Sequence, residues 1–482
     1  MYKLLLSFRY FRSRFLAIAA LLAVTFGVAM LVIVLSIMGG YLVELRENIR
    51  GLEGHLQVIG RYGGVSDAPE VQEVIRTVEN VHATAAFVER LAVYRAVTFR
   101  PCRLHGVEPV AQMRVGDFDR FVMRPAELDR VLAEHVPLAA DGSAMPDRTD
   151  RTRATREVDA IVRDPERPPL APEEVARLFS REWRVELIRR SDPELLELLG
   201  EEVPPACLVG IRVLLDRDMY LGDIITVVTM NPDPERPEPL TQEFVVAGAI
   251  KTGNFEQDSG TVHAELAVVK NFLGLLIDPE YGLYRVDGIR VALEDPELLH
   301  ETRDAVAAAI EPLFPLLEVA TWEDLRPNLL KAVLIETFLV YFIVLILVVF
   351  TGSMILLMLL LTVIEKTRDV GVLMALGATP RGVTSIFLIN GLVICVLGTL
   401  LGLGLGLAFC TYINDIHDAI YDATGWSLFQ AEIYQMDRIP IAFQPLDIVL
   451  SVVPPVLIGL CASLVPALWA PRRDPIRSIQ YE

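Results

Sequence analysis

The sequence predicts an α+β membrane protein: four transmembrane helices, with a large two-lobed α+β extracytoplasmic domain between helices 1 and 2. Three observations lead there. Four long uncharged runs punctuate a chain of mean hydropathy +0.42. The three short segments with an excess of basic residues fall on one side if the chain crosses four times. Residues 44–336, between the first two runs, mix strand-like and helix-like patterns over a length that can bury a core of its own.

Residues 15–43, 337–364, 382–410 and 448–470 contain no Asp, Glu, Lys or Arg. A hydrocarbon core of ~30 Å is crossed by about 20 apolar residues in a helix, so each run suffices. The first follows Lys3, Arg9, Arg12 and Arg14, as a secretory signal would. It is far longer than the roughly 7–15 residues of a signal h-region and closes without a small-x-small cleavage site, so it reads as an uncleaved signal anchor. Pro454 and Pro455 should kink the fourth span.

Residues 1–14, 365–381 and 471–482 together carry ten bases and four acids. The positive-inside rule places them, and both termini, in the cytoplasm. The loop 411–447 then lies outside, with six acids against the single base Arg438; of the net −19, residues 44–336 therefore hold −20. That acidity disfavours nucleic acid and anionic headgroups and suits a soluble extracytoplasmic domain.

Within that domain, Gly54–Ile59, Ala86–Thr98, Ala206–Leu214, Ile224–Met230 and Glu243–Ile250 have strand character. Val71–Val78, Glu174–Phe179 and Pro193–Leu199 read as helices. Residues 140–172, rich in Asp, Arg, Pro and Thr, predict a flexible insertion. Val286–Leu293, Pro296–Ile310 and Leu316–Ala320 predict a compact βαβ unit. Beyond the first span, Tyr41–Arg50 continues the helix outward. Pro327 is placed to open the helix leading into the second, and both look like stalks.

Chemistry-bearing motifs are missing. No G-x-x-x-x-G-K-[ST], G-x-S-x-G or H-E-x-x-H occurs, so no catalytic residue is assigned. His55, His82, His105 and His263 are scattered and read as surface or core residues, with no metal site. Cys102 and Cys207 are the two cysteines outside the spans, and whether they are bridged the sequence leaves open. Spans without a single charged residue disfavour an ion-coupled carrier.

The segment Glu365–Pro380 is short, charged and glycine-punctuated between two apolar runs. Glu365, Lys366, Arg368 and Asp369 offer ion pairs. Val370, Val372, Leu373, Met374 and Leu376 offer an apolar face that a plain connection would not need, with Gly371 between them. Gly377 can stop a short helix in the left-handed region, and Pro380 prevents its continuation. This is the pattern of a docking element. In the third span, Gly398, Gly402 and Gly406 form a small-xxx-small face for close helix approach. Whether the partner helix lies in the same chain or across a dimer stays open.

These residues carry a family resemblance. EKTRDVGVLMALGATPRGVTSIFLINGLVICVLGTLLGLGLGLAF and the tail PALWAPRRDPIRSIQYE resemble the FtsX-type permease domain of type VII ABC transporters, which include the lipoprotein-releasing LolC/LolE permeases and the MacB exporter. LAVTFGVAMLVIVLSIMGGYLVELRENIRGLEGHLQVIG is similar to the start of LolC/LolE proteins. Gly210, Leu221–Asp223 and Phe244–Gly248 resemble the MacB-type periplasmic core domain, and VDGIRVALEDPE resembles its ferredoxin-like second lobe.

The resemblance implies a non-catalytic permease subunit in the cytoplasmic (inner) membrane. Its segment 365–381 would be a coupling helix docked on a separate cytoplasmic ABC ATPase, which binds the ATP and Mg; this chain binds no cofactor. It implies pairing as a homodimer or with a related permease chain, and mechanotransmission through the stalks. The substrate would be a lipoprotein or other lipidic molecule at the outer leaflet, passed on to a soluble periplasmic acceptor. Substrate contacts are then expected from Met30, Val34 and Met38 on span one and Phe342, Ile346 and Phe350 on span two. The alternatives are a MacB-like efflux or peptide exporter, which carries its ATPase on the same chain, and an FtsX-like regulator of a cell-wall hydrolase, which is expected to have a smaller outer domain. An anchored receptor without an ATPase would leave the docking element unexplained.

Overall fold

The computed structural model describes residues 15–61, 63–96, 98–135, 148–215, 219–231, 238–278, 283–365, 372, 374, 376–427, 429, 436 and 438–469. Two compact units emerge. One takes in Asn328–Ala419 with the chain before Leu45 and after Arg438; the other is Leu45–Pro327 with Ile420–Arg438.

Four long helices carry the first unit: Phe15–Glu53 (α1), Pro327–Glu365 (α2), Pro380–Thr424 (α3) and Pro445–Trp469 (α4). Each contains a stretch long and apolar enough to cross a membrane: Ile18–Leu45, Leu334–Glu365, Pro380–Thr424 and Pro445–Val465. Helices α1 and α2 outrun their apolar windows. Each is 39 residues long, about 58 Å at 1.5 Å per residue, nearly twice a hydrocarbon core. Pro327 opens α2 at the first helical position, where a missing N–H costs nothing. The sequence places a loop from residue 411, but α3 continues to Thr424. Helix α4 runs through Pro454 and Pro455.

The large domain is built on a ferredoxin-like layer. Strands Leu56–Gly60 (β1), Val81–Arg95 (β2), Phe99–Val107 (β3), Ala206–Gly210 (β4), Ile224–Met230 (β5), Pro239–Ile250 (β6), Thr261–Glu265 (β7), Gly288–Leu293 and Leu317–Thr321 follow the chain, with a small hairpin, Leu276–Asp278 (β8) and Leu283–Tyr284 (β9), before the last two, β10 and β11. The main sheet runs β11-β1-β10-β2-β3-β7-β4-β6-β5. Its first four strands give β1–helix–β2 and β10–helix–β11 in spatial order 4-1-3-2 with antiparallel pairing throughout. The expected βαβ unit is therefore split, with β1 lying between β10 and β11. Helices Ala68–Arg76 and Leu299–Ile310 contribute Val71, Ile75, Val306 and Ile310 to its core, all at most 1% exposed.

Everything from β3 to β9 is inserted between the second and third strands of that layer. Strand β2 joins the two layers. Val81–Phe87 pairs with β10, Phe87–Arg95 with β3, and Val93–Arg95 with β5. Strands β2-β3-β7-β4-β6-β5 thereby close on themselves. Phe118, Val175, Leu178, Leu208 and Ala247 fill the core beneath them, and buried Trp183 donates its Nε1–H to the Ala247 carbonyl at 2.9 Å.

Several local expectations shift for identifiable reasons. Strand β4 ends at Gly210 and turns into the helix Ile211–Leu215 instead of running on to Leu214. At Gly210 a Cβ would overlap the Asp258 carbonyl, so the backbones touch there and the strand has no room to continue. In the expected flexible insertion 140–172, residues 140–147 lie outside the described residues, but Arg148–Arg163 is a helix with Ala154 and Val158 fully buried. Its charges are used inward. Asp159 is 1% exposed, pairs with Arg163 at 3.0 Å and Arg438 at 3.1 Å, and stands 4.0 Å from Lys251.

Among the described residues, Lys251 and Asp258 form the most deeply buried ion pair, 2.7 Å between Nζ and Oδ2. The Asp258 carboxylate also accepts from Thr252 N at 2.6 Å, Thr252 Oγ1 at 2.9 Å and Gly253 N at 3.2 Å. Cys102 and Cys207 are free, buried thiols. Burial pushes Cys102 up to about 12, against a hydrogen bond from the Tyr94 backbone, and raises Cys207 as well, so both stay protonated and unreactive.

His105 on β3 and His263 on β7 are register partners whose rings stack with centroids 4.8 Å apart. Burial, then Arg290 and Arg103, lowers His105 to about 3; burial, then His105 and Arg290, lowers His263.

Two predictions follow from this packing. Asp258→Ala removes the nearest counter-charge of the buried Lys251 ammonium and should cost about 3–5 kcal/mol, read as a lowered thermal midpoint of the purified chain. Both histidines have folded pKa values below the unfolded value near 6.5, so below that pH the unfolded chain binds more protons. Stability should fall as pH drops from about 6.5 to 4.5, by up to about 1.4 kcal/mol per pH unit for each ring. A midpoint flat across that window in pH-scanned melting would contradict the neutral pair.

Candidate functional site

Helix α3 lies against α1 along its glycine face. A Cβ at Gly398 would stand 2.7 Å from Val24 Cγ1, one at Gly402 2.5 Å from the Thr25 carbonyl oxygen and 2.8 Å from Val28 Cβ, and one at Gly406 2.8 Å from Val32 Cβ. Val24, Val28 and Val32 are at most 1% exposed. A valine ridge with a four-residue period thus fills the groove that three glycines leave open, and the partner of the stripe is in the same chain. The contact goes deeper than side chains: at Gly402 it is with backbone, which cannot move aside.

The remaining helices close the bundle. Gly27 of α1 meets Thr351 of α2, and Gly459 of α4 meets Cys395 of α3 and Ile355 of α2. Ala20, Val24, Val28, Val32, Ile355, Met358, Ile394 and Cys395 form the shared core.

The residues expected to meet substrate lie away from that core. On α1, Ile18, Leu22, Phe26 and Met30 are exposed at four-residue intervals, while Val34 and Met38 are half-buried. On α2, Phe342, Ile346 and Phe350 are 53–61% exposed and continue the stripe begun by Phe338. Helix α2 buries only 29% of its apolar window inside this chain. Its uncovered apolar surface calls for lipid or another apolar partner.

Of the expected docking residues, Lys366, Arg368, Asp369, Val370, Gly371 and Leu373 lie outside the described residues. Glu365 is the last residue of α2. Leu376 N donates to the Val372 carbonyl and Gly377 N to the Met374 carbonyl, each at 3.0 Å, forming a helical turn. Gly377 ends it at φ +93°, left-handed backbone in open space. Thr379 then caps α3: its side-chain oxygen accepts from Gly382 N at 3.2 Å, with Pro380 at the first helical position. Met374 and Ala378 pack inward on Val363, Val383, Phe387 and Ala467, whereas Leu376 is 80% and Val372 44% exposed. The turn holds two apolar side chains out and anchors itself with two others. The Thr379 cap and the valine ridge are features the sequence reading missed. A Ser/Thr before Pro at a helix start and an i, i+4 Val repeat in the first span were the available signals.

Residues 341–475 match the model of the FtsX-like permease C-terminal family. The chain carries an FtsX-like permease domain. The match takes in most of α2, the turn at residues 372–377, α3 and α4, the elements just described. Over its full length the chain is 22% identical to a lipoprotein-releasing system transmembrane protein LolC of Xylella fastidiosa, across 98% of this chain and 97% of that one. A 123-residue stretch is 28% identical to a macrolide export ATP-binding/permease protein MacB of Psychrobacter cryohalolentis, covering 26% of this chain and 16% of the relative. Among solved structures, the periplasmic region of MacB from Actinobacillus actinomycetemcomitans aligns with 59% of this chain and 96% of its own at 10% identity and a TM-score of 0.25. The topology of the large domain therefore stands on its own strand order.

The glycine face gives a paired prediction. Gly402→Ala forces a methyl onto the α1 backbone and should lower the melting temperature in detergent. Gly404→Ala, two residues away with nothing within 4 Å, should leave it unchanged or raise it, since Ala favours a helix over Gly by about 1 kcal/mol. Equal effects of the two would rule out the close α1–α3 contact.

Proposed function

We propose that this chain is the membrane permease subunit of an ABC transporter complex, coupling ATP hydrolysis by a separate subunit to extraction of lipoproteins from the outer leaflet of the cytoplasmic membrane. The observation that carries this reading is the end-to-end match to a relative named for lipoprotein release, in a chain whose FtsX-like domain presents an exposed apolar turn between two spans. ATP and Mg belong to the partner.

In this reading Val372 and Leu376 seat in a groove on the ATPase, and Glu365, Lys366, Arg368 and Asp369 pair around its rim. The uninterrupted helices α1 and α2 carry the movement to the large domain, because a helix transmits axial displacement without the slack of a loop. The open apolar stripes of Met30 and of Phe342, Ile346 and Phe350 take acyl chains or a second permease chain, identical or related. The lipoprotein then passes to a soluble acceptor. The chain is multi-pass with both termini cytoplasmic, by the excess of basic residues on that side. The MacB-like stretch favours, as a second reading, an exporter of another amphipathic cargo worked by the same turn.

Purification of the tagged chain in mild detergent tests this. An ATPase subunit should accompany it in near-equal amount together with bound lipoprotein, and Gly377→Glu or Arg368→Glu should lose the ATPase while the chain itself remains folded. An ATPase retained at full activity in both variants would show that the turn is not the coupling element. An ATPase without lipoprotein, carrying another cargo, would select the exporter.

A further inference from the structure

A small cavity lies inside the large domain where three parts of it meet: the end of α1, strand β10 of the ferredoxin-like layer, and the β3–β7 pair of the inserted layer. Its volume is about 20 Å³, and Glu53, His105, Gln112, Gln257, His263 and Arg290 are among the side chains lining it. Arg290 and His263 are each 4% exposed. Arg290 donates Nη1–H to Gln112 Oε1 at 3.2 Å and lies over the Phe87 ring, 4.3 Å from its centroid. Gln112 in turn donates Nε2–H to the Leu52 carbonyl at 2.8 Å. Among the described residues, no protein group pairs with Arg290 Nε, Gln257 Oε1 or either ring nitrogen of His263.

Orphaned polar atoms of this kind are expensive, roughly 1–3 kcal/mol each when left unmade. Four around one cavity mark a site for something that both donates and accepts. We propose that the cavity holds a single ordered water, accepting from Arg290 Nε–H, donating to Gln257 Oε1, and bonded to one nitrogen of His263.

The chemistry of the lining selects water over the other small ligands. A neutral imidazole presents one N–H and one bare nitrogen, so His263 can serve the third bond in either tautomer. Three bonds is about what a buried water makes, and the volume exceeds the ~10–15 Å³ that one needs. An anion would face the Glu53 carboxylate and the Gln257 carbonyl oxygen. A metal ion lacks ligands, since no cluster of three His, Cys, Asp or Glu able to hold one occurs among the described residues. The water gives the buried guanidinium a partner on the side away from Gln112 and joins the two sheet layers to the α1 terminus by hydrogen bonds. This assignment is independent of the proposed transport function.

The test uses the full-length chain in detergent. A cryo-EM map at a resolution that shows ordered waters should contain one peak within hydrogen-bond distance of Arg290 Nε, Gln257 Oε1 and a His263 nitrogen, and the thermal midpoint should be the same in chloride as in gluconate. A cavity filled instead by Gln257 turned directly onto His263 or Arg290, or one without a peak, would overturn the proposal. A midpoint that falls when chloride is withdrawn would make the occupant a halide and overturn it as well.

Discussion

The junction at which Glu53 pairs with Arg326 is the constraint on which the rest depends. Glu53 is the last residue of α1, and Arg326 immediately precedes Pro327 at the start of α2. The large domain is thus pinned at the two points where its chain joins the long helices. Backbone pairing reinforces the pin. Trp322 N donates to the His55 carbonyl, and β1 pairs with β11 from Leu56↔Thr321 to Gly60↔Leu317. A domain inserted into a connection between two neighbouring helices must begin and end in one place, and this one makes its first and last strands neighbours. The side chains are only partly shielded, 15% and 34% exposed, so the pair by itself contributes modestly. Its weight comes from the ladder beside it, which already holds the two helix ends together.

That arrangement makes the ferredoxin-like layer, and not the inserted one, continuous in sequence with the two long helices. Strands β1 and β11 belong to it, while the inserted layer hangs from the middle of the chain through β2. The inserted layer is consequently free to be larger and more irregular, and it contains the helices from Pro109 to Leu199 and the ion-pair cluster around Asp159.

How much of this was legible in the sequence follows from what a single chain can encode. The spans were plain because charge is excluded from a bilayer core, and β5 stands where alternation and its flanking turn residues put it. Helix Arg148–Arg163 was hidden because it buries a narrow stripe, Ala154 and Val158, among charges that read as solvated. Strand β3 was hidden because Arg100, Pro101 and Arg103 break its pattern. For the candidate site, the glycine period announced a close approach, yet a period specifies a face and not what the face meets. The partner became visible only when Val24, Val28 and Val32 were placed opposite it. The histidine pair was the least legible feature of all. His105 and His263 are far apart in the chain and become neighbours only through the β3–β7 register.

Strand β2 has a mechanical consequence. Because one continuous strand is a member of both layers, with its ladders to β10, β3 and β5 overlapping at Phe87 and at Val93–Arg95, the layers are joined by more than the β9–β10 connection and cannot hinge on that loop alone. A pull directed along β2 loads its cross-strand bonds in shear, all together, instead of peeling them one after another from an end. The domain should therefore behave as a stiff lever that turns as a whole.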